Sequence, residues 1–170
     1  MNFQLAKQVH AAAIANLINN AYRGETSRAG WTTEADILGG LRTSESEIQQ
    51  LIASNHAMIL LCFDDAELIG SVCIEQANHV AHIGMFVVQP GLQNSGVGKA
   101  LLAEAEKLAV EKWAVTLFQM HVISIRHELI AYYERRGYQR TGEVSAFPVN
   151  PAVWQPKVAG LQLITLEKVT

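Results

Sequence analysis

Between His82 and Leu102 the chain runs through an apolar stretch, a turn holding Gly91, Gly96 and Gly98, and the start of a helical pattern. At such a strand-to-helix junction several backbone N–H groups point one way, at the positive end of a helix dipole, and suit an anion, usually phosphate. A Walker A loop ending at Gly98-Lys99 requires glycine at 93 and serine or threonine at 100, where the chain has Gln93 and Ala100. A dinucleotide fingerprint opening at Gly96 requires glycine at 101, where Leu101 stands. The pattern that fits is Gln/Arg-x-x-Gly-x-Gly/Ala, as Gln93-Asn94-Ser95-Gly96-Val97-Gly98. Six residues alone also describe an ordinary tight turn.

A second cluster lies downstream, Tyr132-Tyr133-Glu134-Arg135-Arg136-Gly137-Tyr138. Together the two stretches resemble the GNAT superfamily of acyl-CoA-dependent N-acetyltransferases, whose corresponding helix often reads Leu-Tyr-Glu-Lys-x-Gly-Phe. The resemblance gives Gln93, Asn94, Ser95, Gly96, Val97, Gly98, Lys99 and Ala100 the pyrophosphate of coenzyme A. It also assigns the Phe86 N–H to the acetyl carbonyl and the backbone of Phe86, Val87 and Val88 to the cofactor arm. A backbone amide aimed at that oxygen stabilises the charge that develops during attack. The tyrosine of the second signature falls on Tyr133, which by resemblance protonates the departing thiolate. A phenol near pKa ~10 is a workable donor to a thiolate whose acid has pKa ~8.5. Tyr132 points about 100° around the same helix, so both cannot reach the sulfur. The chain departs from the family seven residues before that tyrosine, where asparagine is usual and Arg126 stands. Arg126 either contacts a coenzyme A phosphate or lies in solvent.

An attacking amine of pKa ~10 is protonated at neutral pH, so a base, direct or through water, is implied. His82 titrates in the right range and falls where some arylalkylamine-acetylating members carry a strand histidine, with Glu75 on the neighbouring strand as the alternative. Alternation along a strand puts His82, Gly84 and Phe86 on one face. In the family the segment between the first two helices walls the acceptor pocket. Tyr22, Arg23, Glu25, Arg28 and Trp31 are the candidates there, unless the same charges simply close the loop on itself. The implied reaction is direct acetyl transfer from acetyl-CoA to a small-molecule or peptide amine within a ternary complex. Cys62 and Cys73 lie outside both motifs, so no acetyl-cysteine is expected. The rival reading is a GNAT-fold module that binds acyl-CoA as a sensor or assembly element without turnover. A homodimer is common in this fold.

With 170 residues the chain suffices for one domain and a core that needs no metal or disulfide. A net charge of -3 disfavours nucleic acid as an obligate partner. The six histidines form no H-x-x-x-H pair, so no metal site is expected. No stretch reaches the ~18 apolar residues of a membrane span and no basic leader precedes the first elements, which favours a cytoplasmic protein.

The elements that must position these residues follow from periodicity. Residues 2–6 read as a strand, and Val9, Ala13, Ile14, Leu17, Ile18 and Ala21 recur at helical spacing from Lys7 to Tyr22. Thr32 or Thr33 can cap a short helix at 34–36, and Ser44-Glu45-Ser46-Glu47 is a capping box opening a helix to about Ala53. Strands at 57–63, 68–77 and 80–88, joined by very short turns, must be an antiparallel meander. A helix follows from about Gly96 to Lys112. The strand at 115–123 then lies parallel to 80–88, because a helix separates the two. Ser124 or Ile125 opens a helix stopped at Gly137, and Tyr138–Val144 is a strand. Residues 147–156, with three of the four prolines, form an irregular loop, and 161–169 closes the sheet. The result is an α/β (α+β) GNAT-type fold: about seven strands in a mixed, mostly antiparallel sheet with about four helices, in one domain over 1–170.

Overall fold

A computed structural model describes residues 1–148, 150, 152 and 154–170. In chain order the elements are β1 (Asn2–Leu5), α1 (Ala11–Tyr22), β2 (Leu38–Gly40), α2 (Glu45–Ala53), β3 (Ala57–Asp64), β4 (Glu67–Ala77) and β5 (Val80–Val88). There follow α3 (Val97–Trp113), β6 (Leu117–Ile123), α4 (His127–Glu134), β7 (Gln139–Ala146), β8 (Trp154–Pro156) and β9 (Gln162–Val169). Seven strands make one sheet in the order β1-β3-β4-β5-β6-β9-β7, antiparallel throughout except between β5 and β6. The mixed α/β architecture is the one the sequence predicts.

Each sheet face carries a core. On one side Leu101, Leu102, Ala105 and Ala109 of α3 and Ile130 of α4 pack on Leu60, Val72, Ile74, Phe118 and Met120. On the other, Ile14 and Ile18 of α1 and Ile48 of α2 pack on Ile59, Leu61, Cys73, Met85 and Val87. Met58, Leu60 and Cys62 enter the first core while Ile59 and Leu61 enter the second, which is why β3 reads as an unbroken apolar run. Each fully buried isoleucine contributes about 1.5–3 kcal/mol by leaving water. The cap on α2 forms, with Ser44 Oγ accepting from the Glu47 N–H at 3.2 Å. The reciprocal half does not: Glu47 instead accepts from the Thr43 hydroxyl at 2.5 Å. No helix among the described residues is long and apolar enough to cross a membrane.

The structure departs from periodicity where tertiary contacts decide. Residues 8–10 make a 3-10 turn ahead of α1, and α4 begins at His127 rather than at Ser124 or Ile125. No helix forms at 34–36: Thr33 Oγ1 takes the Ala35 N–H at 3.0 Å, and the chain then runs into β2. β2 pairs antiparallel with β8, so Trp154–Pro156 is strand, not loop; Val149, Pro151 and Val153 of the expected loop lie outside the described residues. β9 is not an edge strand but sits between β6 and β7.

The expected shared face of His82 and Phe86 is also overturned. The register shifts between Ser71 and Cys73, and opposite that shift Met85 has φ 44°. This bulge inserts a residue and reverses the alternation. Ile83 therefore points to the α3 core but Met85 to the α1 core, and Phe86 turns toward α3, away from the side that His82 faces.

Candidate active site

β5 and β6 pair only through Val80–Leu117, Ala81–Phe118 and His82–Gln119, then part. Two cavities, about 300 and 230 Å³, open at the gap. They share Tyr22, Phe86, Arg126 and Leu129 as a common wall. A ligand reaching through the gap would pass between them.

The first cavity lies over the start of α3. Gly96 caps that helix at φ 90°, and an added side-chain carbon there would meet nothing within 4 Å, so conformation and not crowding calls for glycine. The first N–H groups of a helix have no intrahelical carbonyl, and the first here to close one is that of Ala100, onto Gly96 O at 3.1 Å. Lys99, Arg135 and Arg136 add cations to the wall, and among the described residues no aspartate or glutamate lines it. An anionic diphosphate fits this cradle. Val87, Val88, Gln93 and Asn94 also line it, whereas Ser95, Val97 and Ala100 do not. Ser95 Oγ donates to Leu92 O at 2.5 Å, and Val97 belongs to the core.

Gln93 ties this loop to the segment after α1. Its Oε1 accepts the Trp31 N–H at 2.9 Å, and its Nε2 donates to Val88 O at 3.2 Å. A side-chain carbon on Gly30 would lie 2.5 Å from that Oε1, so any larger residue there would push the Gln93 amide aside. Trp31 thus lines the first cavity, its ring 5.7 Å from that of Tyr132, and not the second. The Arg136 guanidinium lies 3.3 Å over the centre of the Tyr132 ring.

Tyr133 faces the second cavity. A Schellman-type closure fixes its turn, with the Tyr138 N–H reaching Tyr133 O at 3.2 Å past Gly137 at φ 92°. Burial holds the Tyr133 phenol well above its ordinary pKa, so the hydroxyl keeps its proton. Tyr22 is raised for the same first reason, and its hydroxyl donates to Phe86 O at 3.3 Å.

Arg126 is not in solvent. It is 8% exposed, with Nη1 donating to Glu34 Oε1 at 2.8 Å and Nη2 to Thr32 Oγ1 at 3.0 Å. Glu34 also pairs with Arg23, 3.5 Å away. The other loop candidates divide: Tyr22 and Arg23 line the second cavity, but Glu25 and Arg28 line neither, pairing with each other at 3.4 Å while Arg28 also binds Asp36 at 2.8 Å. His82 and Glu75 face each other across β4 and β5 and line neither cavity.

The sequence reading missed Glu34, Arg42, His121 and Trp154, all of which line the second cavity. None sits in a motif. His121 stacks on His82 with ring centres 6.4 Å apart, and Thr165 shares a hydrogen bond with its Nδ1 at 3.2 Å. Partial burial, then the neighbouring His82, lower its pKa and leave it neutral at physiological pH. Cys73 is buried and its thiol pushed up to about 12, while Cys62 is raised by the same cause; neither cysteine lines a cavity.

Comparisons with known proteins agree with this arrangement. The ribosomal-protein-alanine N-acetyltransferase from Brucella melitensis superposes with a TM-score of 0.72 at 20% identity, covering 100% of each chain. The ribosomal-protein-S18-alanine N-acetyltransferase from Escherichia coli gives 0.71 at 14%, covering 99% of this chain and 92% of the other. A spermidine N-acetyltransferase variant from Vibrio cholerae gives 0.70 at 16%, covering 99% and 95%. At such identities these show a common fold. A search of curated proteins returned no match. The model of the Acetyltransferase (GNAT) family, however, matches residues 13–138, from within α1 through both signatures to Tyr138. A strand pair that parts beside a helix-capping glycine loop, matched over most of the chain, makes this protein a member of the GNAT acetyltransferase family.

Proposed function

We propose that the protein moves the acetyl group of acetyl-CoA to a primary amine by direct attack in a ternary complex. The observation that carries this reading is the pair of cavities meeting at Phe86, one lined by helix-start amides and cations, the other by a protonated buried phenol. Bound acetyl-CoA would supply an activated thioester, with its diphosphate held by the backbone around Gly96 and Gly98 and by Lys99. The amine enters from the second cavity, the new C–N bond forms as the C–S bond breaks, and the Tyr133 hydroxyl gives its proton to the thiolate. The amine's own proton leaves to His121, directly or through water, with His82 stacked behind it. The high thiol pKa of Cys73 supports direct transfer, since a thiolate there would be scarce at neutral pH.

The test is a turnover assay with acetyl-CoA and a panel of amines, read as free thiol, beside a calorimetric titration with coenzyme A. Thiol release with at least one amine is expected. Coenzyme A binding with no release across the panel would make the protein a binding module instead, and no binding at all would remove the glycine loop from the site.

A further inference from the structure

The second cavity has an unbalanced set of charges. Arg23, Arg42 and Arg126 line it against a single carboxylate, Glu34, and His121 is neutral. Glu34 is spent on two of the three arginines: its Oε1 accepts from Arg126 at 2.8 Å and its Oε2 lies 3.5 Å from Arg23 Nε. Arg23 further donates to Leu41 O at 2.5 Å. Arg42 has no such partner. Among the described residues its guanidinium makes no ion pair and no side-chain hydrogen bond, and it is held over the Tyr22 ring at 5.7 Å. The nearby Glu47 on α2 is committed to Thr43. A half-buried guanidinium, seated on an aromatic face and turned into a cavity, is a site for a carboxylate, which its planar fork binds through two parallel hydrogen bonds.

Building on the function proposed above, we propose that the acceptor is a compact primary amine that also carries a carboxylate, bound by Arg42, and not a polyamine. Excess positive charge in a partly desolvated wall repels a second ammonium and attracts an anion. The volume of about 230 Å³ falls below the ~300–1,000 Å³ of clefts that take drug-sized ligands, which suits an amino acid more than a long chain. Tyr22 joins the two events, because its ring carries Arg42 while its hydroxyl donates to Phe86 O at the shared wall.

The experiment compares matched acceptors at saturating acetyl-CoA: amino acids of increasing amine-to-carboxylate distance, their amides, dipeptides, a peptide with an acidic second residue, and spermidine. Calorimetry of each on the coenzyme A-bound protein runs alongside, so that recognition is read without turnover. The acid should be preferred over its amide by at least ~10-fold in kcat/KM, with spermidine poorest. Arg42→Ala should erase that preference mainly through KM, and Arg42→Glu should reverse it toward amides and diamines. Arg140→Ala, which removes an exposed arginine that pairs with Glu134 and lines neither cavity, should leave the preference as it was. Equal use of acid and amide, a preference for spermidine, or an unchanged ratio in Arg42→Ala overturns the proposal while leaving acetyl transfer intact. Carboxylate binding that depends on Arg42 but yields no thiol sustains the anion site and overturns the transfer reaction. No binding by any acceptor overturns both. Preference for the acidic peptide over free amino acids overturns the compact acceptor and leaves only the anion site at Arg42.

Discussion

Burial gives Tyr133 its suitability as a proton donor. Removed from water, an effect that outweighs the opposite pull of the Arg126 and Arg136 cations, the phenol keeps its proton across the neutral range. Replacing Tyr133 by phenylalanine keeps the ring and its edge-on contact with Tyr138, 5.9 Å between centres, so packing should survive. Turnover should fall by about 10²–10⁴-fold, the usual worth of a placed acid, with coenzyme A affinity unchanged in a titration. Equal losses in both would mean that the tyrosine only packs. His121 works in the opposite sense. A lowered pKa keeps its imidazole neutral, hence basic, to a lower pH than a free histidine at ~6.5, so a break below that value is expected in the pH profile of kcat/KM. His121→Gln should remove the break. If His82→Gln removes it and His121→Gln does not, the base is the strand residue that lines neither cavity.

At the scale of elements, the site depends on where a loop is pinned. The two hydrogen bonds of Gln93 hold the segment at Trp31 against the end of β5, and so close the first cavity on that side. Gln93→Ala should destabilise the fold by about 1–3 kcal/mol, from two bonds at roughly 0.5–1.5 each, and weaken coenzyme A binding as the wall loosens; urea unfolding and calorimetry measure the two. Gly96 allows a cleaner comparison. Gly96→Ala meets open space and pays only for φ 90°, about 1–2 kcal/mol, whereas Gly96→Glu adds a carboxylate beside the anion cradle. Glutamate should reduce coenzyme A affinity at least ~10-fold beyond alanine; equal affinities would remove the loop from the account. The glycine loop was readable in advance because helix caps and turns are local chemistry. The bulge at Met85 was not, since it arises where β4 slips in register against β5, and it alone turned His82 away from Phe86.

Across the whole molecule, the Arg23–Glu34–Arg126 group joins the end of α1, the loop before β2 and the start of α4, with Glu34 and Arg126 92 residues apart in the chain. Glu34 and both arginines are below one-tenth exposed, so removing the shared carboxylate strands two cations in the interior. Glu34→Leu should cost about 3–5 kcal/mol and lower Tm by roughly 10 °C, while Arg126→Ala, which leaves Glu34 its Arg23 partner, should cost less. Thermal scans of the two variants decide it. An unaffected Glu34→Leu would show that water already reaches the group.

Local chemistry alone determined the number and type of nearly all the elements and the glycine turn ahead of α3, while resemblance to the family pointed to Tyr133. Helical spacing, capping residues and glycine positions act within a few residues and survive as patterns in a linear chain. Only the folded chain could set Arg42, Glu34 and His121 around one cavity, pair β2 with β8, and assign each loop arginine to a partner. Those arrangements depend on distances between segments far apart in sequence, and a charge shows its use only once the partner it finds, or lacks, is in place.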